Sequence, residues 1–253
     1  MRIENFGLPG SGKSTISSAV RSRLADEGLV VPDPPALDAL DAANPPGHQR
    51  IWREDKERQS FHTANYLKTH SVFHLICNTL YSQKTRNLGL LLSVGADMSR
   101  HQMNAARLHS FWVDEGFLHL GAHALMVASS WDVARCALSI EHFMSAIPRP
   151  DAVLLVRTSV EVATDGIFRR MSGKSLAQAE RRFRKAFGGE RGMTERAALI
   201  DQMTVYLRSM HIPIIEVQGH TDVDALATKI TAEVKRLQEG WPSRPEVKPN
   251  SSI

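Results

Sequence analysis

The chain has 253 residues, 42% hydrophobic and 23% charged, the balance of an ordinary soluble globular protein long enough to bury a full core. Its formal net charge of +4 suits a polyphosphate ligand but is too diffuse to indicate nucleic-acid binding. Two cysteines, Cys77 and Cys136, without paired spacing exclude a disulfide scaffold and point to a reducing cytoplasmic compartment; the longest apolar runs fall far short of a membrane span.

The first predicted element is a short buried strand around Ile3 and Phe6, and it runs straight into Gly7-Leu8-Pro9-Gly10-Ser11-Gly12-Lys13-Ser14-Thr15. This stretch fits G-x-x-x-x-G-K-[ST], with Gly7, Gly12, Lys13 and Ser14 in the fixed places. Glycines permit backbone torsions closed to other residues, so successive N–H groups can turn inward onto phosphate oxygens. A helix follows at once, with Ile16, Ala19, Val20 and Leu24 at helical spacing and Gly28 as its stop. Its positive N-terminal end adds to the same anion site. Lys13 is expected to reach the β- and γ-phosphates, and the Ser14 hydroxyl to ligate Mg²⁺. The loop reads as a nucleotide-phosphate cradle.

Leu29-Val30-Val31 is a candidate second strand, ended by Pro32, and residues 32–47 are proline-rich loop. Residues 49–108 are expected to form a long, mostly helical insert. Then Phe111-Trp112-Val113-Asp114-Glu115-Gly116 reads as a buried strand whose carboxyl end carries acids. Ligands of parallel α/β sheets bind beyond the carboxyl ends of the strands. If this strand lies beside the first, Asp114 and Glu115 stand near the glycine loop, one to hold Mg²⁺ and one to accept a proton from an attacking hydroxyl. The competing reading makes Asp114 a cap for a helix over 117–129.

A further helix is expected between 131 and 147, and Arg149 to Val156 reads as a buried strand apolar on both faces. Residues 159–171 read as a helix. From Arg169 to Arg191 the chain is strongly basic, with Arg169, Arg170, Lys174, Arg181, Arg182, Arg184, Lys185 and Arg191 against Glu180 and Glu190, and glycines interrupt it. A positive, hinged segment of this kind can close over a triphosphate, so residues 169–192 are expected to act as a lid. The alternative is a solvated basic helix. An amphipathic helix over 194–210, a strand over 212–217, the turn Gln218-Gly219-His220 and a last helix from Thr221 or Asp222 complete one domain over 1–239; residues 240–253 read as a disordered tail. The histidines between 62 and 123, including His119 and His123, have spacings too loose to assign.

The opening Phe6–Thr15 stretch, the run from Pro150-Asp151 through Val156 to Arg169-Arg170, and Ile214-Ile215-Glu216-Val217 with Gln218-Gly219 together resemble P-loop kinases of the nucleoside and nucleoside-monophosphate type, which include thymidylate and deoxynucleoside kinases. The resemblance implies a three-layer fold with a five-stranded parallel sheet, helices on both faces and an acceptor-binding insert. It implies ATP and Mg²⁺ as cofactors, with Lys174, Gln218 and Gly219 beside the nucleotide and Arg169 and Arg170 on the transferring phosphoryl group. Such kinases usually carry an Asp-Arg or Glu-Arg pair where this chain has Asp114-Glu115-Gly116, and the insert matches no acceptor site. The expected partners are therefore a nucleoside triphosphate and a small-molecule acceptor, without nucleic acid or membrane, and with homodimerisation left open. A regulatory P-loop NTPase switch and a sulfotransferase-like protein are the competing functions.

Overall fold

The computed structural model describes residues 1–29, 111–113, 116–128, 132–136, 140–141, 143–144, 149–219 and 222–240. The expected insert 49–108, the proline-rich stretch before it and residues 241–253 lie outside these. So do Val30 and Val31, which make up most of the candidate second strand.

Strand β1 (Arg2–Gly7) leads through the glycine loop into helix α1 (Lys13–Asp26). Strand β2 (Phe111–Val113) precedes helix α2 (Phe117–Ala128), and a single 3₁₀ turn follows at Val133–Cys136. Strand β3 (Ala152–Arg157) is followed by helices α3 (Val160–Arg170), α4 (Leu176–Phe187) and α5 (Gly189–Ser209). Strand β4 (Ile214–Gln218) and helix α6 (Val223–Glu239) complete the described residues.

The sheet order is β2-β1-β3-β4, with every pairing parallel. Four strands are thus seen among the described residues where five were expected. The continuous apolar run of β3 explains its central place. It pairs with β1 from Ile3↔Ala152 to Gly7↔Val156, and with β4 from Val153↔Ile214 to Arg157↔Gln218. A strand flanked by neighbours and covered on both faces favours apolar residues on both sides.

Alternation along the strands sends side chains to two separate cores. Phe6, Val153 and Leu155 face one core with residues of α2, α3, α4 and α5. Ile3, Trp112, Leu154 and Val156 face the other with α1 and α6. The result is three layers, as expected. Helices α1 and α6 pack side by side, and charged pairs between Lys235 and Glu27 and between Arg23 and Asp224 line their seam.

Helix boundaries follow recognisable caps. Ser159 Oγ accepts from Val162 N at 3.3 Å, Ser175 Oγ from Gln178 N at 3.4 Å, and Asp222 Oδ1 from Asp224 N at 2.9 Å. The basic stretch after Met171 is more regular than the sequence indicates. It forms helix α4, and Gly188 at φ 74° both ends α4 and opens α5. Helix α5 consequently begins at Gly189, five residues before the expected start at Thr194. Among the described residues, no helix is long and apolar enough to cross a membrane.

Candidate active site

The glycine loop lies at the carboxyl ends of β1 and β3. Gly10 and Gly12 take φ of 84° and 86°, in the left-handed region where a side chain is strained, and Gly12 occupies the N-cap of α1. No side chain caps that helix, and its first turn carries no acid. Its leading N–H groups therefore remain directed at the loop, the arrangement that suits an anion. Lys13 is 7% exposed, and its Nζ donates to the carbonyls of Gly7 at 3.0 Å and Leu8 at 2.7 Å. The ammonium thus lies folded across the loop rather than out in solvent.

The remaining loop residues divide by depth. Leu8 is 4% exposed and packs in the core with Phe6 and Val153, so its carbonyl faces the site while its side chain supports the loop from below. Pro9 is half-buried, and Ser14 and Thr15 are exposed on the first turn of α1. Ser11 is fully buried, and its hydroxyl meets no hydrogen-bond partner among the described residues.

Gly219, in the turn after β4, comes up to the glycine loop. Gly219 N donates to Arg157 O at 2.6 Å, and a Cβ on Gly219 would stand 2.6 Å from Ser11 O. The turn after β4 and the glycine loop are thus in backbone contact. Beside them, Arg157 pairs with Asp201 and, at 3.1 Å, with Glu216, which also takes Arg208 at 2.6 Å. Despite the cost of partial burial, these carboxylates raise the Arg157 pKa.

Helix α3 also reaches the loop. It crosses at Ala163, Gly166 and Ile167, all against Gly10. Arg169 and Arg170 lie exposed in its last turn, and Lys174 lies half-buried just beyond. Asp114 and Glu115 fall outside the described residues. Their strand does lie beside β1, with Val113 opposite Glu4.

Four residues with unusual environments were not singled out by the sequence reading. Glu4, on β1, is fully buried; its Oε2 accepts from Leu118 N at 3.1 Å, and its Oε1 lies 3.5 Å from Arg2 Nε. This carboxylate caps α2 from a neighbouring strand. Gly116 makes room for it, since a Cβ there would stand 2.5 Å from the carboxyl group. Burial raises the Glu4 pKa more than Arg2 and the amides of Leu118 and Phe117 lower it.

The other three are His119, His123 and Arg196. Arg196, on α5, is 2% exposed, and its Nη1 lies 3.3 Å from His123 Nδ1. A guanidinium can only donate, so Nδ1 accepts and the ring proton resides on Nε2. Burial first, and then Arg196, push His123 down to about 4. His119 is held well below its usual range by burial, and then by Arg196, Lys13 and His123. His119, on α2, is therefore within electrostatic reach of the glycine-loop lysine, and both imidazoles are kept neutral. Two signals could have found this cluster and were passed over: the i, i+4 spacing of His119 and His123, and the place of Arg196 in the buried stripe Met193, Arg196, Leu199/Ile200, Met203.

Among the described residues no group of three His, Cys, Asp or Glu side chains could hold a metal ion. Mg²⁺ at a phosphate loop needs no such group, because it keeps several waters and takes phosphate oxygens alongside one or two protein ligands. Ser14, exposed on the first turn of α1, is the hydroxyl that the sequence reading puts forward for that role.

These features define the P-loop NTPase α/β fold: a parallel sheet between helix layers, with a glycine loop and a buried lysine between the first strand and helix. Comparison with solved structures agrees. Deoxyadenosine kinase from M. mycoides, with products dCMP and a flexible dCDP bound, superposes with a TM-score of 0.55 at 17% identity, covering 93% of this chain and 100% of that one. The same enzyme with dATP bound gives 0.53 at 16% identity, with the same coverage. No family model and no curated protein matches the sequence.

Proposed function

We propose that this protein is an ATP-dependent nucleoside kinase that moves the γ-phosphoryl group of ATP to a hydroxyl of a deoxynucleoside or a closely related acceptor. One observation carries the reading: a buried lysine at the centre of a glycine loop, in a chain whose fold follows deoxyadenosine kinase over 93% of its length. The neighbours hold dCMP, dCDP and dATP, which supports a nucleoside acceptor and a nucleoside triphosphate. The cytoplasm is the proposed compartment.

Phosphoryl transfer asks the protein for positioning and electrostatic stabilisation rather than covalent chemistry. Lys13 exchanges the carbonyls of Gly7 and Leu8 for β- and γ-phosphate oxygens. The amides from Gly10 to Ser14 and the leading end of α1 hold the remaining oxygens. The Ser14 hydroxyl and the Asp114 carboxylate would hold Mg²⁺, which neutralises charge between the β- and γ-phosphates when bound. The other acid, Glu115, or Asp114 in its place, takes the proton of the attacking hydroxyl. Gln218 and Gly219 border the base, and Arg169 and Arg170, assisted by Lys174, close on the transferring group as a lid over 169–192.

The test is label transfer from γ-³²P-ATP with Mg²⁺ to deoxyadenosine, deoxycytidine, deoxyguanosine, thymidine and their monophosphates. Transfer to at least one acceptor is expected, with a loss of about 10²–10³-fold in Lys13→Ala at an unchanged melting temperature. Failure of every acceptor would sink the kinase reading. ADP release that is slow and indifferent to acceptors would instead favour an NTPase switch.

A further inference from the structure

We propose that Gly166 is a positioning residue: it lets helix α3 dock backbone-to-backbone on the glycine loop at Gly10, and so fixes how far Arg169 and Arg170 stand from the phosphates. The inference rests on the reading of those two arginines as phosphate contacts.

Glycine inside a helix costs about 1 kcal/mol relative to alanine, so its presence within Val160–Arg170 calls for a reason. The reason is space. A Cβ on Gly166 would stand 2.4 Å from Gly10 O and 3.3 Å from Gly10 Cα. The contact is reciprocal: a Cβ on Gly10 would stand 2.1 Å from Ala163 O and 3.0 Å from Ile167 Cγ1. The atoms in the way are mostly backbone, which cannot swing aside like a side-chain tip. Ala163 and Ile167, on either side of the contact, are 0% and 5% exposed, so the helix is also held from the core.

Arg169 and Arg170 follow within one helical turn, about 5–6 Å along the axis. Over that distance a helix moves as a rigid rod, so a shift at Gly166 is carried to both. An alanine at 166 needs a separation of roughly 1 Å to reach ordinary packing distance. A misplacement of that size costs an active site up to about 100-fold. Moreover, the loop keeps its own internal bonds, Ser11 N to Leu8 O at 3.2 Å and the two from Lys13 Nζ. Moving the helix therefore separates the lid from the loop without dismantling the loop.

The experiment compares affinities for ADP and for AMP-PNP, which differ in the terminal phosphoryl group, in the full chain with Mg²⁺. Gly166→Ala should weaken AMP-PNP by about 10-fold, the equivalent of one displaced charge-assisted hydrogen bond, and ADP by less than about 3-fold. Asp165→Ala, at an exposed position of the same helix, should leave both affinities within about 2-fold. In an Arg169→Ala/Arg170→Ala background, adding Gly166→Ala should cost AMP-PNP less than about 2-fold, because coupled residues are not additive. Equal losses for the two nucleotides, no loss, or full additivity would each overturn the proposal. An arginine double variant that binds AMP-PNP like wild type would instead locate the failure in the lid reading beneath it. If Gly166→Ala does not fold, Ile167→Val slackens the same contact without adding volume. Its AMP-PNP affinity should fall selectively by about 3-fold, and an unselective change would again overturn the claim.

Discussion

Acidification should unfold this protein earlier than its carboxylates alone would dictate, and His123 is the group to follow. Burial and the neighbouring Arg196 push its folded pKa down to about 4 from the ordinary 6.5. The sign follows from linkage: the unfolded chain binds a proton below 6.5 that the folded chain refuses until about 4. Stability from this group is therefore complete above the unfolded value and is lost as pH falls between the two. Each unit is worth about 1.4 kcal/mol, so by pH 4.5 the loss from His123 alone approaches about 2.5 kcal/mol. His119, shifted in the same direction, adds to it. Glu4 works oppositely: its raised pKa favours the folded state at low pH and withdraws that support as pH rises through the folded value. The contribution of His123 is isolated by urea unfolding of wild type and His123→Gln at pH 7.5, 6.5, 5.5 and 4.5. The glutamine amide oxygen can still accept from Arg196 but does not titrate. The variant should be less steeply acid-sensitive by about 2 kcal/mol over this range. Parallel curves for the two proteins would refute the reasoning.

Other substitutions test the rest of the framework. Glu4→Gln retains an acceptor for Leu118 N but does not titrate, so it should lose less stability than wild type as pH rises, whereas Glu4→Ala should cost about 1–3 kcal/mol at pH 7 by leaving the buried Leu118 amide without its acceptor; thermal denaturation from pH 6 to 9 reads both. Gly121→Ala would put a methyl 1.8 Å from Phe143 Cζ, and should destabilise by about 1–3 kcal/mol in urea unfolding, with partial recovery on adding Phe143→Leu. Gly219→Ala would press on Ser11 O from 2.6 Å and should weaken ADP and AMP-PNP alike, by about 10-fold in titration calorimetry, because here the loop itself must move. Asp114→Asn and Glu115→Gln should each lower kcat by about 10²-fold or more with little change in nucleotide affinity, and the one whose loss eases at higher Mg²⁺ is the metal ligand.

What was legible in the sequence was what depends on local pattern. The glycine loop announces itself because its left-handed turns at Gly10 and Gly12 favour glycine at fixed places. β3 does so because a strand covered on both faces strongly favours a continuous apolar run, and Ser159 and Asp222 mark helix starts because only a few side chains can cap an N-terminus. What could not be read depends on pairs distant along the chain. Glu4 looked like an ordinary acid in a short strand, and its role as cap of α2 exists only because β2 packs beside β1. Arg196 and the α2 histidines become a unit only when α5 crosses α2, 73 residues away in sequence for the His123–Arg196 contact. The regularity of α4 was hidden by its charge, since a helix whose sides are mostly solvated has little apolar periodicity to display. The Gly10–Gly166 contact belongs to the same class, because close approach of two backbones leaves only a missing side chain as its trace. The glycine-loop pattern is thus written in contiguous residues, while the groups that pack around it are supplied by separate elements of the fold.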